Sequence, residues 1–163
     1  MRRLRRAATR PRFLAIYLND HLAGATGGVA LAERAKRTHR AAALRSLTEE
    51  IKEDRRTLMW IMSVVGVKPA RHKAFAAWAS ERVASLKTNG RLFRRSPLSA
   101  LLEIEALYLG VHGKAAGWRT LLAMTDHVTE LDPRLLRELL DRAQAQLREL
   151  EDLHNALARE LAV

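Results

Sequence analysis

The sequence predicts an all-α protein: an antiparallel four-helix bundle with a fifth, C-terminal helix packed alongside. Three observations lead to this fold class. Apolar residues recur at helical spacing through most of the 163 residues, as in amphipathic helices. Helix-start and helix-stop signals separate most of the segments. The connections are short, which favours antiparallel neighbours. The length suits one domain with a sizeable core.

The first twelve residues are predicted to be a basic arm. MRRLRRAATRPR contains six arginines and no acidic residue. The apolar run FLAIYL that follows is too short for the central region of a signal peptide. We therefore expect an exposed arm over 1–12 and a single helical-bundle domain over 13–163. The chain has no cysteine, which excludes disulfides and thiolate ligands and fits a reducing cytoplasm.

The first predicted helix runs from about Phe13 to Arg37. Three glycines in its middle, Gly24, Gly27 and Gly28, each lower helix propensity by up to about 1 kcal/mol relative to alanine. We expect the compensation to be close approach of a neighbouring helix backbone. Asp20 and His21 lie on apolar faces of this helix and not on its solvent-facing stripe.

The second predicted helix starts near His39 or at Ser46, where Ser46-Leu-Thr-Glu49 spells a capping box. Gly66 is expected to end it. One charged residue, Asp54, interrupts an otherwise apolar stripe, and the whole stripe is Leu44, Leu47, Ile51, Asp54, Leu58, Ile61 and Val65. A carboxylate on a core-facing stripe needs a partner or a function.

The third predicted helix begins at Lys68-Pro69 and runs to the Asn89-Gly90 C-cap signal. Glu81 lies on a face made otherwise of alanines. The fourth predicted helix begins at Ser96-Pro97 and ends near Asp126. It is apolar over much of its circumference, which is typical of a helix inside a bundle.

Two apolar stripes run along the fourth predicted helix. They are Leu98, Leu101, Glu105, Tyr108, His112 and Ala115, and Ile104, Leu107, Val111, Trp118 and Leu121. Glu105 and His112 are separated by two helical turns, so they lie about 20° apart around the axis. The sequence therefore predicts an ionisable pair on a core-facing stripe.

The fifth predicted helix starts at Asp132-Pro133 and carries a heptad pattern. The stripe consists of Leu136, Leu140, Ala143, Leu147, Leu150, His154, Leu157 and Leu161. Such a stripe either covers the other four helices or forms a homodimer, and the sequence leaves both open.

The polar residues on apolar faces support three hypotheses, the third of which is a small-molecule or proton-transfer site. The first is a structural network, in which Asp54 accepts from Tyr17, His21 or Lys114 and Glu105 holds His112. The second is an iron or manganese site inside the bundle, since carboxylates and histidines from several helices bind such metals. Its candidate ligands are Asp20, His21, Asp54, Glu81, Glu105 and His112.

The arrangement predicted over residues 13–125 resembles the ferritin-like four-helix bundles, a resemblance that implies the iron or manganese chemistry. The Glu-x-x-His pair of that family occurs once, as Glu151 and His154 on the fifth predicted helix. The short Gly66–Pro69 turn stands where ferritins have a long crossover.

The net charge of +11 is unevenly distributed, because residues 130–163 contain eight acidic and five basic side chains. An antiparallel bundle would gather basic residues at one end, beside the N-terminus of the fourth predicted helix. The candidate anion site there is Arg37, Arg40, Arg91, Arg94, Arg95 and Ser96. Its partner would be an anionic molecule or a protein or, nonspecifically, nucleic acid, although no nucleic-acid-binding motif is present.

Longer segments resemble a group of small bacterial helical-bundle proteins without assigned function, mainly from high-GC Gram-positive organisms. They are YLNDHLAGATGGVALAERA (17–35), EEIKEDRRTLMWIMSVVGV (49–67), LKTNGRLFRRSPLSALLEIEALYLGVHGK (86–114) and RAQAQLREL (142–150). The resemblance implies the bundle fold and no particular activity. No catalytic triad or phosphate-binding glycine loop is found, so we expect a non-catalytic cytoplasmic protein.

Overall fold

The computed structural model describes residues 2–38, 42–70 and 97–161. These residues form four α-helices and contain no strand, so the all-α class is confirmed for them. The helices are α1 (Arg2–Thr38), α2 (Ala43–Val64), α3 (Pro97–Ala123) and α4 (Pro133–Leu161). The described part of the chain thus shows four helices and not five, since most of the third predicted helix lies outside it.

Helix α1 begins at Arg2 and not at Phe13, so the stretch predicted as an arm belongs to the helix. Arginine, leucine and alanine are good helix formers, and they make up most of this stretch. The basic composition that suggested a separate arm is therefore compatible with a helix.

Helix α2 begins at Ala43, between the two predicted starts. The predicted capping box at Ser46 is wrong, because Ser46 lies inside the first turn. Its hydroxyl donates to the backbone oxygen of Ala43 over 2.9 Å, and no side chain caps the helix at Ala42. A serine in the first turn can satisfy its hydroxyl on the preceding turn instead of capping.

The predicted stop at Gly66 is confirmed. Gly66 has a φ of 72° and its N–H donates to the oxygen of Ser63 over 3.2 Å. The N–H of Val67 donates to the oxygen of Met62 over 2.8 Å. Together these two bonds form a Schellman motif, which needs a residue in the left-handed region and so favours glycine.

The predicted starts of α3 and α4 are also confirmed. Both helices have proline as their first residue, Pro97 and Pro133, a position where the missing N–H costs nothing. At α4 the Asp132 carboxylate accepts from the N–H of Arg134 over 2.8 Å. Such a bond satisfies a donor that the helix itself leaves unpaired.

The four helices pack through unequal interfaces. Helix α1 packs on α2 and α3, α3 packs most extensively on α4, and α2 touches α4 only briefly. In α2 the predicted core stripe is confirmed, with Val65 less buried than the rest. In α3 every member of the stripe that contains Ile104 and Trp118 is buried, whereas Leu98 of the other stripe is 46% exposed.

Helix α4, predicted as an outer addition, contributes to the main core. Its buried residues are Leu136, Leu139, Ala143, Gln146 and Leu150. Because this face packs mainly on α3 of the same chain, the heptad pattern is explained without a dimer. Among the described residues, no helix has both the length and the apolar character required to cross a membrane.

Candidate functional site

A polar cluster lies at the centre of the structure, between α2, α3 and α4. Asp54 of α2 is 2% exposed. Its Oδ2 accepts from the Nζ of Lys114 on α3 over 2.5 Å, which confirms Lys114 as one of the predicted partners. Lys114 Nζ also donates to Oε1 of Gln146 on α4. The ammonium group of Lys114 therefore connects α3 to both α2 and α4.

Gln146 uses both ends of its amide. Its Nε2 donates to Oε2 of Glu50 over 2.8 Å and lies 3.4 Å from Oδ2 of Asp54. Arg142 completes the cluster, with Nε 3.0 Å from Oδ1 of Asp54; these two atoms form an ion pair without hydrogen-bond alignment. With Glu50, Asp54, Lys114 and Arg142 in their ordinary ionised forms, the cluster carries no net charge.

Burial shapes the electrostatics of the cluster. Desolvation lowers the pKa of Lys114, and the Asp54 carboxylate opposes that shift. At the edge of the cluster, burial raises the pKa of Glu149, with a further contribution from Glu50. Removing a charged group from water is unfavourable unless an opposite charge lies beside it. The Asp54 carboxylate therefore stabilises the buried ammonium group of Lys114.

A cavity of about 300 Å³ adjoins the cluster, between α1, α2 and α3. We call it the glycine cleft, because five glycines lie in its wall. Most other wall residues are apolar, including Leu107, Val111 and Trp118. The glycines are Gly24 and Gly28 of α1 and Gly110, Gly113 and Gly117 of α3. Asp54 and Lys114 also belong to this wall, so the cluster and the cleft are contiguous.

Gly24 and Gly28 of α1 do not serve close helix packing as predicted, whereas the prediction for Gly27 stays untested. Among the described residues, a Cβ added at Gly24 or Gly28 would meet no atom within 4 Å, and the same holds for Gly110 and Gly113. The expectation was wrong at Gly24 and Gly28 because no described residue approaches these positions in the cleft. Gly117 alone is in close contact, since a Cβ there would lie 2.5 Å from Cδ2 of His21.

The predicted metal ligands separate into groups. Asp20, His21 and Asp54 all lie in the wall of the cleft. His21 is held on its own helix, with Nδ1 3.1 Å from the oxygen of Tyr17 and its ring 4.3 Å from the Tyr17 ring. Glu81 lies outside the described residues.

The predicted pairing of Glu105 with His112 is wrong. Glu105 pairs with His154 of α4, whose Nε2 lies 3.1 Å from its Oε1. His112 is exposed and packs edge-on against Tyr108, with ring centroids 4.7 Å apart. In the part of the chain that the structure describes, no three histidine or carboxylate side chains are grouped to hold a metal ion.

Most of the predicted anion site lies outside the described residues, namely Arg40, Arg91, Arg94, Arg95 and Ser96. Arg37 is described and exposed. Two neighbouring cations already have acidic partners. Arg34 donates through Nε to Glu103 over 2.6 Å, and Lys36 lies 2.9 Å from Glu33. At the described part of this end, ion pairs therefore reduce the excess positive charge.

The sequence analysis missed Gln146 and Arg142. A signal existed for Gln146, because the buried residues of α4 follow 3-4-3-4 spacing, with Gln146 in the position of a core leucine. The neighbouring stripe through Leu140 and Leu147 has 4-3-4-3 spacing and is more apolar. It therefore predicts the core face, and Gln146 is overlooked. Arg142 gave no such signal, since an arginine beside a core stripe is common on a helix surface.

The chain matches no protein-family model, no curated protein and no solved structure. The geometry of the polar cluster and the glycine cleft is therefore the basis for the functional argument.

Proposed function

We propose that this is a non-catalytic cytoplasmic bundle protein, in which the polar cluster fixes how α2, α3 and α4 pack. The observation that supports the proposal is the mutual pairing of the cluster. Asp54 interacts with Lys114 and Arg142, and Gln146 bridges α2 to α3 and α4. A catalytic acid or base needs access to a substrate proton, whereas both carboxylate oxygens of Asp54 are already engaged by cations.

A packing role follows from the cost of misplacing these groups. A buried charge without a partner is strongly destabilising. Any slide of α4 along α3 would separate Gln146 from Lys114 and from Glu50. The leucines of α4 alone permit alternative registers one heptad apart, because they repeat every seven residues. The cluster therefore supplies a register that the apolar contacts do not.

The second part of the proposal is an anionic protein partner. The uneven charge supports it, because six arginines precede Phe13 without an acidic residue among them. Electrostatic attraction of this kind raises association rates and weakens with salt. Nonspecific binding to nucleic acid is the competing outcome. A gel shift at low salt with random-sequence DNA or RNA, lost when these arginines are changed to glutamine, would favour it.

The packing role is tested by a double-mutant cycle on the buried pair. Asp54→Leu should lower the free energy of unfolding by about 3–5 kcal/mol, because it leaves Lys114 and Arg142 without their carboxylate. Lys114→Met should cost less, because Arg142 still faces Asp54. The double variant should recover most of that loss, since apolar replacement of a buried pair is often neutral. Urea unfolding followed by circular dichroism measures all four proteins.

Two outcomes would contradict the proposal. Additive losses in the double variant would show that Asp54 and Lys114 are not stabilised by each other. Metal at one equivalent, measured by mass spectrometry on protein purified without chelator and lost in Asp54→Asn, would make the cluster a ligand set instead.

A further inference from the structure

The glycine cleft needs an explanation that the packing role of the cluster does not provide. Gly24 and Gly28 lie one turn apart inside α1, and Gly110 and Gly113 lie inside α3. Glycine is the poorest helix former after proline, and it is tolerated inside helices where something must come close to the backbone. No atom of the described residues does so at these four positions. Within the described part of the chain, these glycines therefore leave space beside the two helices instead of making close contacts.

The dimensions of the cleft favour a small molecule as occupant. Its wall runs from Tyr17 to Leu31 along α1 and from Ala106 to Leu121 along α3, which at 1.5 Å rise per residue is about 20 Å. A volume of about 300 Å³ spread over that length is narrow. Ligand pockets begin at roughly this volume.

One polar group in the wall lacks a partner among the described residues. Trp118 is 3% exposed and forms part of the wall, and its Nε1–H donates to no acceptor in this part of the chain. A buried N–H without an acceptor is destabilising, and tryptophan usually finds a partner for this group when it is buried. A ligand oxygen beside the indole would supply that acceptor.

The charges beside the cleft favour a neutral ligand. The wall contains two carboxylates, Asp20 and Asp54, and two cations, Arg55 and Lys114, so a ligand carboxylate would add an unbalanced negative charge next to Asp54. Burying such a charge is costly. A carbonyl or ester oxygen accepts a hydrogen bond without that cost.

We propose that the glycine cleft binds a neutral, elongated and largely apolar small molecule that carries a hydrogen-bond acceptor, which pairs with Trp118. The assignment goes beyond the packing role of the cluster and does not depend on it. The cleft could bind no ligand even if the double-mutant cycle shows that Asp54 and Lys114 stabilise each other. The cleft could equally bind a ligand if the cycle shows no such coupling.

The experiment compares three probes of similar length: methyl octanoate, octanoate and nonane. The first has a neutral acceptor, the second is charged, and the third has no acceptor. Binding is followed by calorimetry, and by Trp118 fluorescence in a Trp60→Phe, Trp78→Phe background. We expect methyl octanoate to bind most tightly, to change the Trp118 emission and to raise Tm. Trp118→Phe should weaken the ester by about five- to tenfold, as loss of one hydrogen bond predicts, and leave nonane unchanged.

Substitutions that fill the cleft test the location of the binding site. Gly28→Ala with Gly110→Ala places two methyl groups in the open space, so the ester should bind at least tenfold more weakly while Tm of the ligand-free protein rises. Thr120→Ala is the control, because it improves helix propensity in α3 at a position outside the wall. It should raise Tm and leave binding unchanged.

The proposal would be overturned by any of four results. Absence of binding by every probe would show that the cleft is not a ligand site. Octanoate binding more tightly than the ester would contradict the neutral ligand, and nonane binding as tightly as the ester would contradict the acceptor. Unaltered ester affinity in the two-alanine variant would place the binding elsewhere.

Discussion

Helix α3 has two sides that are built in opposite ways. On the side of α4, the interface is the most extensive in the described part of the molecule, and its α4 residues Leu136, Leu139 and Leu150 are at most 1% exposed. On the side of α1, no atom of the described residues lies within 4 Å of a Cβ position at four glycines, and a cavity of about 300 Å³ remains. One helix therefore combines a close-packed interface with an underfilled one.

The difference separates the closely packed part of the fold from the part where we propose that a ligand binds. Close packing provides the dispersion contacts and apolar burial that stabilise a fold. An open apolar cleft gives up part of that free energy, which is typical of regions that bind ligands. The polar cluster of Asp54, Lys114 and Gln146 lies between the two sides and connects them, because Lys114 borders the cleft and bonds to α4.

The largest expected effect concerns leucines on the two sides. Leu139→Ala, in the packed interface, should lower the free energy of unfolding by about 3–5 kcal/mol, because it leaves a closed cavity. Leu107→Ala, in the wall of the cleft, should cost nearer 2 kcal/mol, since it enlarges an existing space. Urea unfolding measures both. Equal losses would mean that the two interfaces are packed alike.

A smaller effect is expected at the one tight point of the cleft. Gly117→Ala places a methyl group against the His21 ring, which is held by contacts with Tyr17. Overpacking of this kind costs roughly 1–3 kcal/mol, so we expect the thermal midpoint to fall. Gly113→Ala on the same helix is the control, because open space surrounds its Cβ position. A rise in Tm for both variants would show that His21 moves aside freely.

Alanine should stabilise the fold, and not destabilise it, at a glycine that faces the cleft. Gly110→Ala should raise the free energy of unfolding by up to about 1 kcal/mol, because alanine favours the helix and meets no atom within 4 Å. Urea unfolding of Gly110→Ala and of the wild type measures this change. Destabilisation here would indicate that the open space is closed in solution.

The smallest effect is electrostatic and concerns how α1 is attached to α2. Hydrogen bonding to Lys52, and then to Lys36, lowers the pKa of Glu33 from 4.5 to about 2. A carboxylate with a lowered pKa stabilises the fold above its unfolded value, so this contribution is complete above pH 4.5 and is lost as the pH falls towards 2.

Unfolding midpoints between pH 2 and pH 7 should therefore depend less on pH in Glu33→Gln than in the wild type. Glu138→Gln, an exposed change on α4, is the control and should follow the wild-type curve. In native-state hydrogen exchange, amides of α1 should open before those of α3 and α4 at acid pH. An unchanged pH profile in Glu33→Gln would refute the role of this ion pair.

The sequence by itself determined the all-α class, the starts of α3 and α4, the Gly66 stop and the burial of Asp54 on its stripe. These features are local, because proline, aspartate and glycine act on the backbone within a turn, and helical spacing places residues of one stripe together.

Only the tertiary structure decided which polar residues meet and what the glycines do. Glu105 meets His154 of α4 and not His112 of its own helix, because α4 packs on α3 in a register that no single helix specifies. Gly24 and Gly28 looked like sites of close contact, yet they face open space. Spacing along one helix gives direction around its axis, whereas the distance to the next helix depends on every side chain between them.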